Sequence, residues 1–388
     1  MTAAPKAAEA RRPPADDRGR SVTILSSSWG GGHAMVARTV RDAVLALRPT
    51  WQVEVLDFFE RFVGRRFSRS VASSYLRSVQ SAPFLYDLFY RATQRVGTRS
   101  RLQAQLNTIG RNRLRAYLRR NSPDLVVSTY PTPAGVLSAL KLAGAVGTAS
   151  ATILTDYAIH SQWTHQGVDL YIAGSDIIRR GLIDWGIPAD RVLATGIPVR
   201  PGFASPHPPR SEDGPVLVMV GAVGMLRGAF TLCRSLTTAS PRTIVVCGRD
   251  EKLRGKLLAL TAARDGRLTV HGYVDEVWSL MAEARLLVTK PGGITTSEAL
   301  AMGLPMVLCG AIPGQEEENQ AFLVAAGAAR APRHMRQVGG EVARLLRTPD
   351  ELAAMGESAA ALGRPNSARD AAAAIVSLVE SGHVPTSA

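Results

Sequence analysis

One stretch of the sequence places a glycine turn, a helix start and a carboxylate in an order that suits phosphate binding. The apolar run Leu286–Thr289 has the length and composition of a buried strand. Gly292 and Gly293 follow it, and helical apolar spacing begins near Thr295, with Glu298 in the first turn. Such a unit presents free backbone N–H groups and a positive dipole end to an anion. The spacing alone fits an ordinary strand–turn–helix unit equally well, because glycine turns are common in α/β proteins.

A polar cluster follows the next predicted strand, Pro305–Leu308. It consists of Gln315, Glu316, Glu317, Glu318 and Asn319. Together with the glycine turn, these side chains predict a nucleotide-sugar site, in which the diphosphate meets backbone N–H groups and the ribose diol meets Glu298. The sugar hydroxyls would then meet Gln315, Glu316 and Asn319.

A second glycine-rich turn, SSSWGGGH at Ser26–His33, ends in a histidine. It lies between a predicted strand, Val22–Ser27, and an amphipathic helix that runs to about Leu47. The turn is neither a Walker A loop nor a dinucleotide fingerprint, since no Gly-Lys-Ser/Thr follows and the third glycine position holds Met35. Ligands bind at this edge of open α/β sheets, and a histidine there could act as a general base. Spacing alone favours a capping or packing role for it.

A third polar segment, TDYAIHSQW at Thr155–Trp163, follows the predicted strand Ala151–Thr155. Asp156 could orient His33 or serve as the base itself, and His160 and Trp163 could shape an acceptor pocket. For any one of these residues, packing within the loop is the commoner role.

Length and composition indicate a soluble protein with two α/β domains, each large enough for its own core. The chain has 388 residues, of which 46% are hydrophobic and 20% charged. The three cysteines show no CxxC spacing and lie in or beside apolar runs, which favours buried reduced thiols over a disulfide framework. The first 20 residues lack the apolar core of a signal peptide and are predicted to be a disordered tail. No run is apolar enough to predict a transmembrane span.

The net charge of +14 is concentrated in a basic insert, residues 61–120, which holds fourteen arginines and one acid, Asp87. Its arginines alternate with aromatic residues on predicted helical segments. Those of most interest are Arg65, Arg66, Arg69, Tyr75, Phe84 and Tyr90. Such a mixture suits the headgroup boundary of an anionic membrane or a single-stranded nucleic acid. No RNA-binding motif accompanies it, so a membrane surface is favoured.

The predicted elements divide the chain into two similar halves. After the tail, 1–20, come an N-terminal domain, 21–197, a proline-rich linker, 198–214, and a C-terminal domain, 215–366. The final segment, 367–388, is a helix that could cross back to the first domain. Each half begins with a strand and a glycine loop, which predicts two doubly wound, Rossmann-like sheets.

The stretch Thr289–Gly327, TKPGGITTSEALAMGLPMVLCGAIPGQEEENQAFLVAAG, resembles the donor-binding signature of glycosyltransferase family 28. The PGQEEEN form resembles its diacylglycerol glycosyltransferase branch, which includes monogalactosyldiacylglycerol synthases and processive diacylglycerol glucosyltransferases. The resemblance runs from about Val22 to the last helices and implies the α/β fold called GT-B, two Rossmann-like domains facing a cleft. The loop ending in His33 is similar to the family's N-domain signature, so His33 is expected to be the base, with Asp156 as partner or replacement.

The resemblance also implies a donor site and an acceptor side. The donor residues would be Gly221, Gly224, Tyr273, Val274, Gly292, Gly293, Ile294, Thr295, Glu298, Gln315, Glu316 and Asn319. The acceptor and membrane residues would be Gly32, His160, Trp163 and the six insert residues named above. The GAVG loop at Gly221–Gly224 departs from the glycine- or serine-richer loop of the family, which puts donor affinity in doubt.

The expected activity is transfer of a hexose from UDP-glucose or UDP-galactose to diacylglycerol or a glycolipid. No Asp-x-Asp pair occurs in the sequence, so helix N–H groups would stabilise the leaving diphosphate without a metal or other cofactor. A single base implies inversion. The protein would be cytoplasmic, peripheral on the inner face of the cell membrane, with an anionic phospholipid surface but no nucleic acid as partner.

Two alternatives remain open at this point. One is a transferase that uses UDP-N-acetylglucosamine and another lipid-linked acceptor. The other is a non-catalytic protein on the same fold that binds anionic lipid or nucleic acid through the basic insert.

Overall fold

The N-terminal half contains a parallel sheet of six strands. The computed structural model describes residues 19–27, 31–64, 101–207, 210–221, 226, 228–261 and 267–384. The strands are β1 Ser21–Ser26, β2 Gln52–Asp57, β3 Leu125–Ser128, β4 Ala149–Ile153, β5 Leu170–Ile172 and β6 Val192–Leu193. Their order is β2-β1-β3-β4-β5-β6. The near-continuous apolar runs predicted as strands belong to the buried centre of this sheet, as parallel sheets covered on both faces require.

The C-terminal half contains a second parallel sheet of six strands. These are β7 Val216–Met219, β8 Thr243–Val246, β9 Leu268–His271, β10 Leu286–Thr289, β11 Met306–Leu308 and β12 Ala329–Arg330. The order β12-β11-β10-β7-β8-β9 is the strand order of the dinucleotide-binding fold.

Helices cover both sheets. Those of the first half are α1 Gly32–Leu47, α2 Arg101–Leu106, α3 Arg111–Asn121, α4 Pro131–Leu142 and α5 Asp176–Asp184. Those of the second half are α6 Ala229–Ala239, α7 Glu251–Thr261, α8 Val277–Glu283, α9 Gly293–Ala301, α10 Gln315–Ala325, α11 Val338–Leu345, α12 Pro349–Leu362 and α13 Ser367–Ser381. Short helical turns lie at Phe59–Gly64, Ser161–Trp163, Ala189–Arg191, Pro201–Ala204 and Met335–Gln337.

Each sheet has a point where the chain reverses its winding direction, and both points face the space between the halves. In the first sheet β2 and β3 lie on opposite sides of β1, and in the second β8 and β10 lie on opposite sides of β7. Ligands of open α/β sheets bind beyond the carboxyl ends of the strands at such points. The turns that follow β1, β3, β7 and β10 are therefore the expected binding positions.

The four strands with predicted bounds are found with shifts of at most two residues at their ends; they are Val22–Ser27, Ala151–Thr155, Leu286–Thr289 and Pro305–Leu308. The polar cluster at 315–319, interpreted from sequence as a loop, is instead the start of α10. All three cysteines are buried and unbonded. Residues 1–18 and 65–100, which carry most of the predicted tail and basic insert, lie outside the described residues.

The two halves share one apolar core that includes the last helix. Ala371, Ala372 and Ile375 on α13 are buried in the same cluster as Val36 and Val40 on α1. The small alanine side chains let the two helices approach closely, and Arg48 donates to both carboxylate oxygens of Glu380 at 2.7 and 2.9 Å. The last helix therefore ties the C-terminal half to the first domain. Within the described ranges, no helix is long and apolar enough to cross a membrane.

Candidate functional site

A cleft of about 230 Å³ lies between the two sheets, at the turns that follow their central strands. The first domain lines it with Gly31, Gly32, His33, Thr155 and Asp156. The second domain lines it with the turn after β10, the start of α9 and the start of α10. The glycine turn of each domain thus lies on the same cleft, as the resemblance implied.

The His33 side chain enters the cleft from the first turn of α1 and is oriented by a main-chain group. Its Nδ1 lies 2.8 Å from the carbonyl oxygen of Thr129, the residue that follows β3. A carbonyl oxygen only accepts, so Nδ1 carries the proton and Nε2 keeps a free lone pair. The ring also packs edge-on against Tyr130, with centroids 4.8 Å apart. His33 is therefore held in the tautomer that a general base needs.

Burial lowers the pKa of His33 below its usual value, while the charge of Asp156 and the hydrogen bond to Thr129 oppose this shift. The imidazole is thus neutral, and able to accept a proton, at neutral pH. The sequence prediction that Asp156 orients His33 directly is not what the structure has. The Nδ1 contacts are the Thr129 carbonyl and the Thr155 hydroxyl, which lies 3.1 Å away. Asp156 acts on the imidazole through its charge.

The N-terminus of α9 meets the first domain at unusually close range. Gly293 lies so near the main chain of Thr155 that a Cβ there would be 2.0 Å from the Thr155 carbonyl oxygen. Gly32 is less constrained, with a Cβ position 3.1 Å from Ile294 Cγ1, a side-chain atom of the other domain. The first N–H groups of α9 have no acceptor within the helix, and no side chain caps them at Gly292. Glycine is required at position 293 because the main chain of α9 meets the main chain of Thr155 from the other domain.

Asn319 lies under the cleft and joins the domains, so the prediction that it contacts sugar hydroxyls is corrected. Its amide nitrogen donates to Asp156 Oδ1 and to the Pro291 carbonyl, both at 3.0 Å. Its amide oxygen accepts the Tyr157 N–H at 2.7 Å. The side chain is fully buried, and both of its N–H groups are already used. Asn319 therefore positions Asp156 from the opposite domain.

Tyr157 makes further contacts across the same interface. Its ring stacks on Phe322 of α10 with centroids 4.7 Å apart and planes 9° apart. Its hydroxyl lies 2.7 Å from Ser297 Oγ, which donates to the Gly293 carbonyl at 2.6 Å. The tyrosine hydroxyl must then donate to Ser297, and burial raises its pKa to about 12. These contacts fix α9 and α10 against the loop that carries Asp156.

Replacing Asn319 with alanine is expected to destabilise the protein by roughly 2–5 kcal/mol, because the buried Tyr157 N–H, the buried Pro291 carbonyl and the half-buried Asp156 carboxylate lose their partner. Urea unfolding measures the change. Asn121→Ala is the matched control, since Asn121 is exposed and makes one bond, to the Tyr117 carbonyl. Equal unfolding free energies for the two variants would contradict the role given to Asn319.

Glu298 on α9 lines the cleft and is paired with an arginine from the linker. Its Oε1 lies 3.1 Å from Arg200 Nη2, and the two side chains are 6% and 17% exposed. Burial raises the pKa of Glu298 to about 7, against the opposing effect of Arg200. The Glu298 carboxylate is therefore buried at the cleft wall. When it is ionised, it can accept hydrogen bonds from hydroxyl groups of a ligand.

A second ion pair stands beside the glycine turn. Lys290 Nζ pairs with Glu316 Oε1, and Glu316 Oε2 accepts the Ile312 N–H at 3.0 Å. Lys290 follows β10 directly and lines the cleft together with Gln315 and Glu316. A lysine and the positive end of α9 thus lie side by side, an arrangement that favours a multiply charged anion.

Other predicted donor residues also line the cleft. They are Gly221, Tyr273, Val274, Gly292, Gly293, Ile294 and Thr295. Gly221 follows β7 with a φ of 86°, a conformation that favours glycine. Tyr273 is 42% exposed, and the Arg249 guanidinium lies over its ring at 5.4 Å.

Some predicted residues lie elsewhere. His160 and Trp163 are buried in the first domain, where His160 caps the turn Ser161–Trp163 and Trp163 packs in a separate core cluster. They do not line the cleft, because both side chains are directed into the interior of the first domain, at 7% and 5% exposure. Gly224, Arg65, Arg66, Arg69, Tyr75, Phe84 and Tyr90 lie outside the described residues. Among the side chains that are described, no group of three metal-ligating residues lies together.

Two charged cleft residues, Lys290 and Arg200, were missed by the sequence analysis. A lone lysine at the carboxyl end of a buried strand, directly before a Pro-Gly-Gly turn, is a signal that would have found Lys290. Arg200 stands in the proline-rich linker, where no local pattern distinguishes it from other arginines. Thr129 orients His33 through its main-chain carbonyl. Every residue has such a carbonyl, so the identity of the side chain at position 129 does not predict the contact.

Comparisons with known proteins agree with this geometry. Residues 33–199 match the family described as monogalactosyldiacylglycerol (MGDG) synthase, and residues 204–362 match glycosyl transferases group 1. A processive diacylglycerol beta-glucosyltransferase of Bacillus cytotoxicus is 31% identical over 381 residues, which cover 94% of this chain and 95% of the relative.

Solved structures show the same architecture at low sequence identity. MurG of Acinetobacter baumannii is 16% identical with a TM-score of 0.58, and the alignment covers 91% of this chain and 98% of MurG. A putative UDP-N-acetylglucosamine 2-epimerase of Listeria monocytogenes is 14% identical with a TM-score of 0.60, over 95% and 98% of the two chains. These likenesses concern the fold, two Rossmann-like domains around a cleft. The chain belongs to the diacylglycerol glycosyltransferase branch of glycosyltransferase family 28 and has the GT-B fold.

Proposed function

We propose that the protein transfers a hexose, glucose in preference to galactose, from a UDP-sugar to diacylglycerol or a glycolipid. The transfer inverts the anomeric centre, needs no metal, and takes place at the cytoplasmic face of the cell membrane. The observation that carries this proposal is the meeting of a neutral, oriented histidine with the open N-terminus of α9 in one cleft.

The two sides of the cleft would divide the chemistry between them. The acceptor hydroxyl attacks C1 of the sugar and gives its proton to His33 Nε2, while the bond from C1 to the diphosphate oxygen breaks. UDP leaves with the electron pair of that bond. The N–H groups at Gly293–Thr295 and the Lys290 ammonium are placed to stabilise the charge on the departing diphosphate. One base and no protein nucleophile correspond to a single displacement, and hence to inversion.

Metal independence is part of the proposal because fixed positive groups already face the leaving group. The Lys290 side chain is 17% exposed and borders the glycine turn directly. Activity that survives EDTA would support this point, and activity lost to EDTA and restored by magnesium would overturn it.

The choice of sugar and acceptor draws on the relatives. The Bacillus cytotoxicus relative is named a beta-glucosyltransferase acting on diacylglycerol, and the match over 33–199 is to a galactolipid synthase family. Inversion of an α-linked UDP-glucose donor would give a β-glucoside, which agrees with the first of these names. Glucose is therefore favoured, with Gln315 and Glu316 at the cleft wall to contact its hydroxyls.

An anionic membrane surface is the proposed location because of the basic insert. Its last helix, α3, exposes Arg113, Arg115, Arg119 and Arg120. Arginines on one segment attract an anionic bilayer. Sedimentation with phosphatidylglycerol-containing vesicles but not with phosphatidylcholine vesicles would support this location, and equal weak binding to both would overturn it.

The direct test incubates the protein with diacylglycerol vesicles and labelled UDP-glucose, UDP-galactose or UDP-N-acetylglucosamine, and separates the lipids on a plate. We expect labelled glycolipid from UDP-glucose first, with a β linkage. Product from UDP-N-acetylglucosamine alone would overturn the choice of a hexose donor, and no lipid product from any donor would overturn the proposal as a whole.

Binding of UDP-glucose without acceptor is expected to strengthen as pH rises through about 7, because the raised pKa of Glu298 makes its carboxylate available only above that range. Between pH 8 and pH 6 the affinity should fall roughly tenfold, in line with the loss of the ionised form. Titration calorimetry measures the change. A Glu298→Ala variant is the control and should show a flat profile; an equally steep profile in that variant would contradict the assignment.

A further inference from the structure

The connection between the two domains places one arginine against the floor of the nucleotide side of the cleft. Arg200 lies just before the short turn Pro201–Ala204, and its guanidinium packs against two aromatic rings that contact each other edge-to-face, with centroids 5.8 Å apart and planes at 78°. The guanidinium carbon is 5.5 Å from the Phe203 ring centroid and 5.1 Å from that of Trp278 on α8. Contact with both rings limits the movement of the guanidinium.

The same guanidinium contacts two parts of the cleft wall. Nη2 lies 3.1 Å from Glu298 Oε1, and Nη1 donates to the Asp275 carbonyl, next to the cleft residues Tyr273 and Val274. One oxygen of Glu298 is thereby occupied, and Oε2 has no partner among the described residues. The arginine thus holds the carboxylate by one oxygen, and the other oxygen is available to a ligand in the cleft.

We propose that Arg200 is a positioning residue that aims Glu298 at the ribose diol of the donor nucleotide and so sets the preference for ribonucleotides over deoxyribonucleotides. This inference rests on the proposed binding of a uridine diphosphate sugar in the cleft. Arginine is needed for the task because one planar fork must reach a main-chain carbonyl and a carboxylate at once, which a lysine ammonium does not do in a fixed geometry.

The chemical reason for the preference is the pairing of buried groups. A fixed carboxylate oxygen at 6% side-chain exposure gains from a ribose hydroxyl and is left without a donor when the 2′-hydroxyl is missing. A carboxylate that is free to rotate would accept a hydrogen bond from water or from another group when the 2′-hydroxyl is missing. It would therefore discriminate only weakly between UDP and 2′-deoxy-UDP. The discrimination therefore depends on Arg200 as well as on Glu298.

The experiment measures the affinities of UDP and 2′-deoxy-UDP at pH 8 by calorimetry. Wild-type protein should prefer UDP by about tenfold or more. Arg200→Gln should lose most of that preference by weakening UDP binding, while 2′-deoxy-UDP binding changes little. Arg200→Lys should recover only part of it. In a Glu298→Ala background the Arg200→Gln change should leave the ratio unaltered, because the group that it positions is gone.

Arg210→Gln is the matched control. Arg210 belongs to the same connection and donates to the main-chain carbonyls of Met302 and Gly303, but it does not line the cleft. Its variant should keep the wild-type ratio. An Arg200→Gln or Arg200→Lys protein that binds both nucleotides more weakly with an unchanged ratio would overturn the inference and leave the proposed function intact. Wild-type protein that binds neither nucleotide would overturn the proposed function.

Discussion

Replacing His33 with alanine is expected to lower the rate of sugar transfer by about 10²–10⁴-fold while UDP binding stays within about twofold. The reason is the division of roles across the cleft. His33 belongs to the first domain, and its Nδ1 is hydrogen-bonded to the Thr129 carbonyl. Loss of the imidazole therefore removes the proton acceptor but no contact with the UDP-sugar. Single-turnover transfer and UDP calorimetry on the same preparation separate the two effects.

His334→Ala is the control for this substitution, since His334 is an exposed residue of the second domain that does not line the cleft. It should transfer sugar at the wild-type rate. If His33→Ala retained full activity, the base would have to be another group, and Asp156, which also lines the cleft, would be the first to examine. Weakened UDP binding in His33→Ala would contradict its placement on the acceptor side.

Replacing Gly293 with alanine is expected to reduce transfer by about 10²-fold or more, the second large effect. The new Cβ would lie 2.0 Å from the Thr155 carbonyl oxygen and 3.0 Å from its carbonyl carbon. Main chain cannot move aside as a side-chain end can, so α9 and the Thr155 loop must separate by about 1 Å or more. A displacement of that size between reacting groups costs about 10²-fold in rate. Steady-state transfer assays give the loss directly.

Gly255→Ala on α7 is the matched control, because the added Cβ meets nothing within 4 Å. It should leave transfer unchanged and should not lower stability, since alanine is a better helix former than glycine. The far-UV spectrum of Gly293→Ala should remain that of the wild type. Full activity in that variant would show that the close approach of the two domains is not needed for catalysis.

The elements of the fold could largely be predicted from the sequence, because each strand is a short apolar run followed by a turn signal. Leu286–Thr289 was predicted with the bounds that the structure has, and the predicted strand Pro305–Leu308 differs from β11 by one residue. The polar cluster after Pro313 was harder. A run of acidic residues after proline and glycine is compatible with a loop. Glu316 and Glu317 also complement the helix dipole when they lie in a first turn, and the structure has a helix at this position.

A site residue could be predicted from the sequence only where its side-chain type and its position after a strand both indicated a function. His33 lies on the helix that follows β1 and Glu298 on the helix that follows β10, so their place in the cleft followed from topology. Asn319 could not be placed in this way, since an amide suits a sugar hydroxyl and a domain contact equally well. Its partners, Asp156 and Tyr157, are more than 160 residues away along the chain. The Arg200–Glu298 pair likewise joins positions 98 residues apart, a pairing that no local pattern encodes.

The central claim is that a pyrophosphate lies at the positive end of α9, between the two domains. A crystal structure of the protein with UDP tests it most directly. We predict the β-phosphate oxygens within hydrogen-bond distance of the main-chain N–H groups of Gly293, Ile294 or Thr295, with Lys290 beside them. Nucleotide bound anywhere else, with side chains filling the space before α9, would contradict the account.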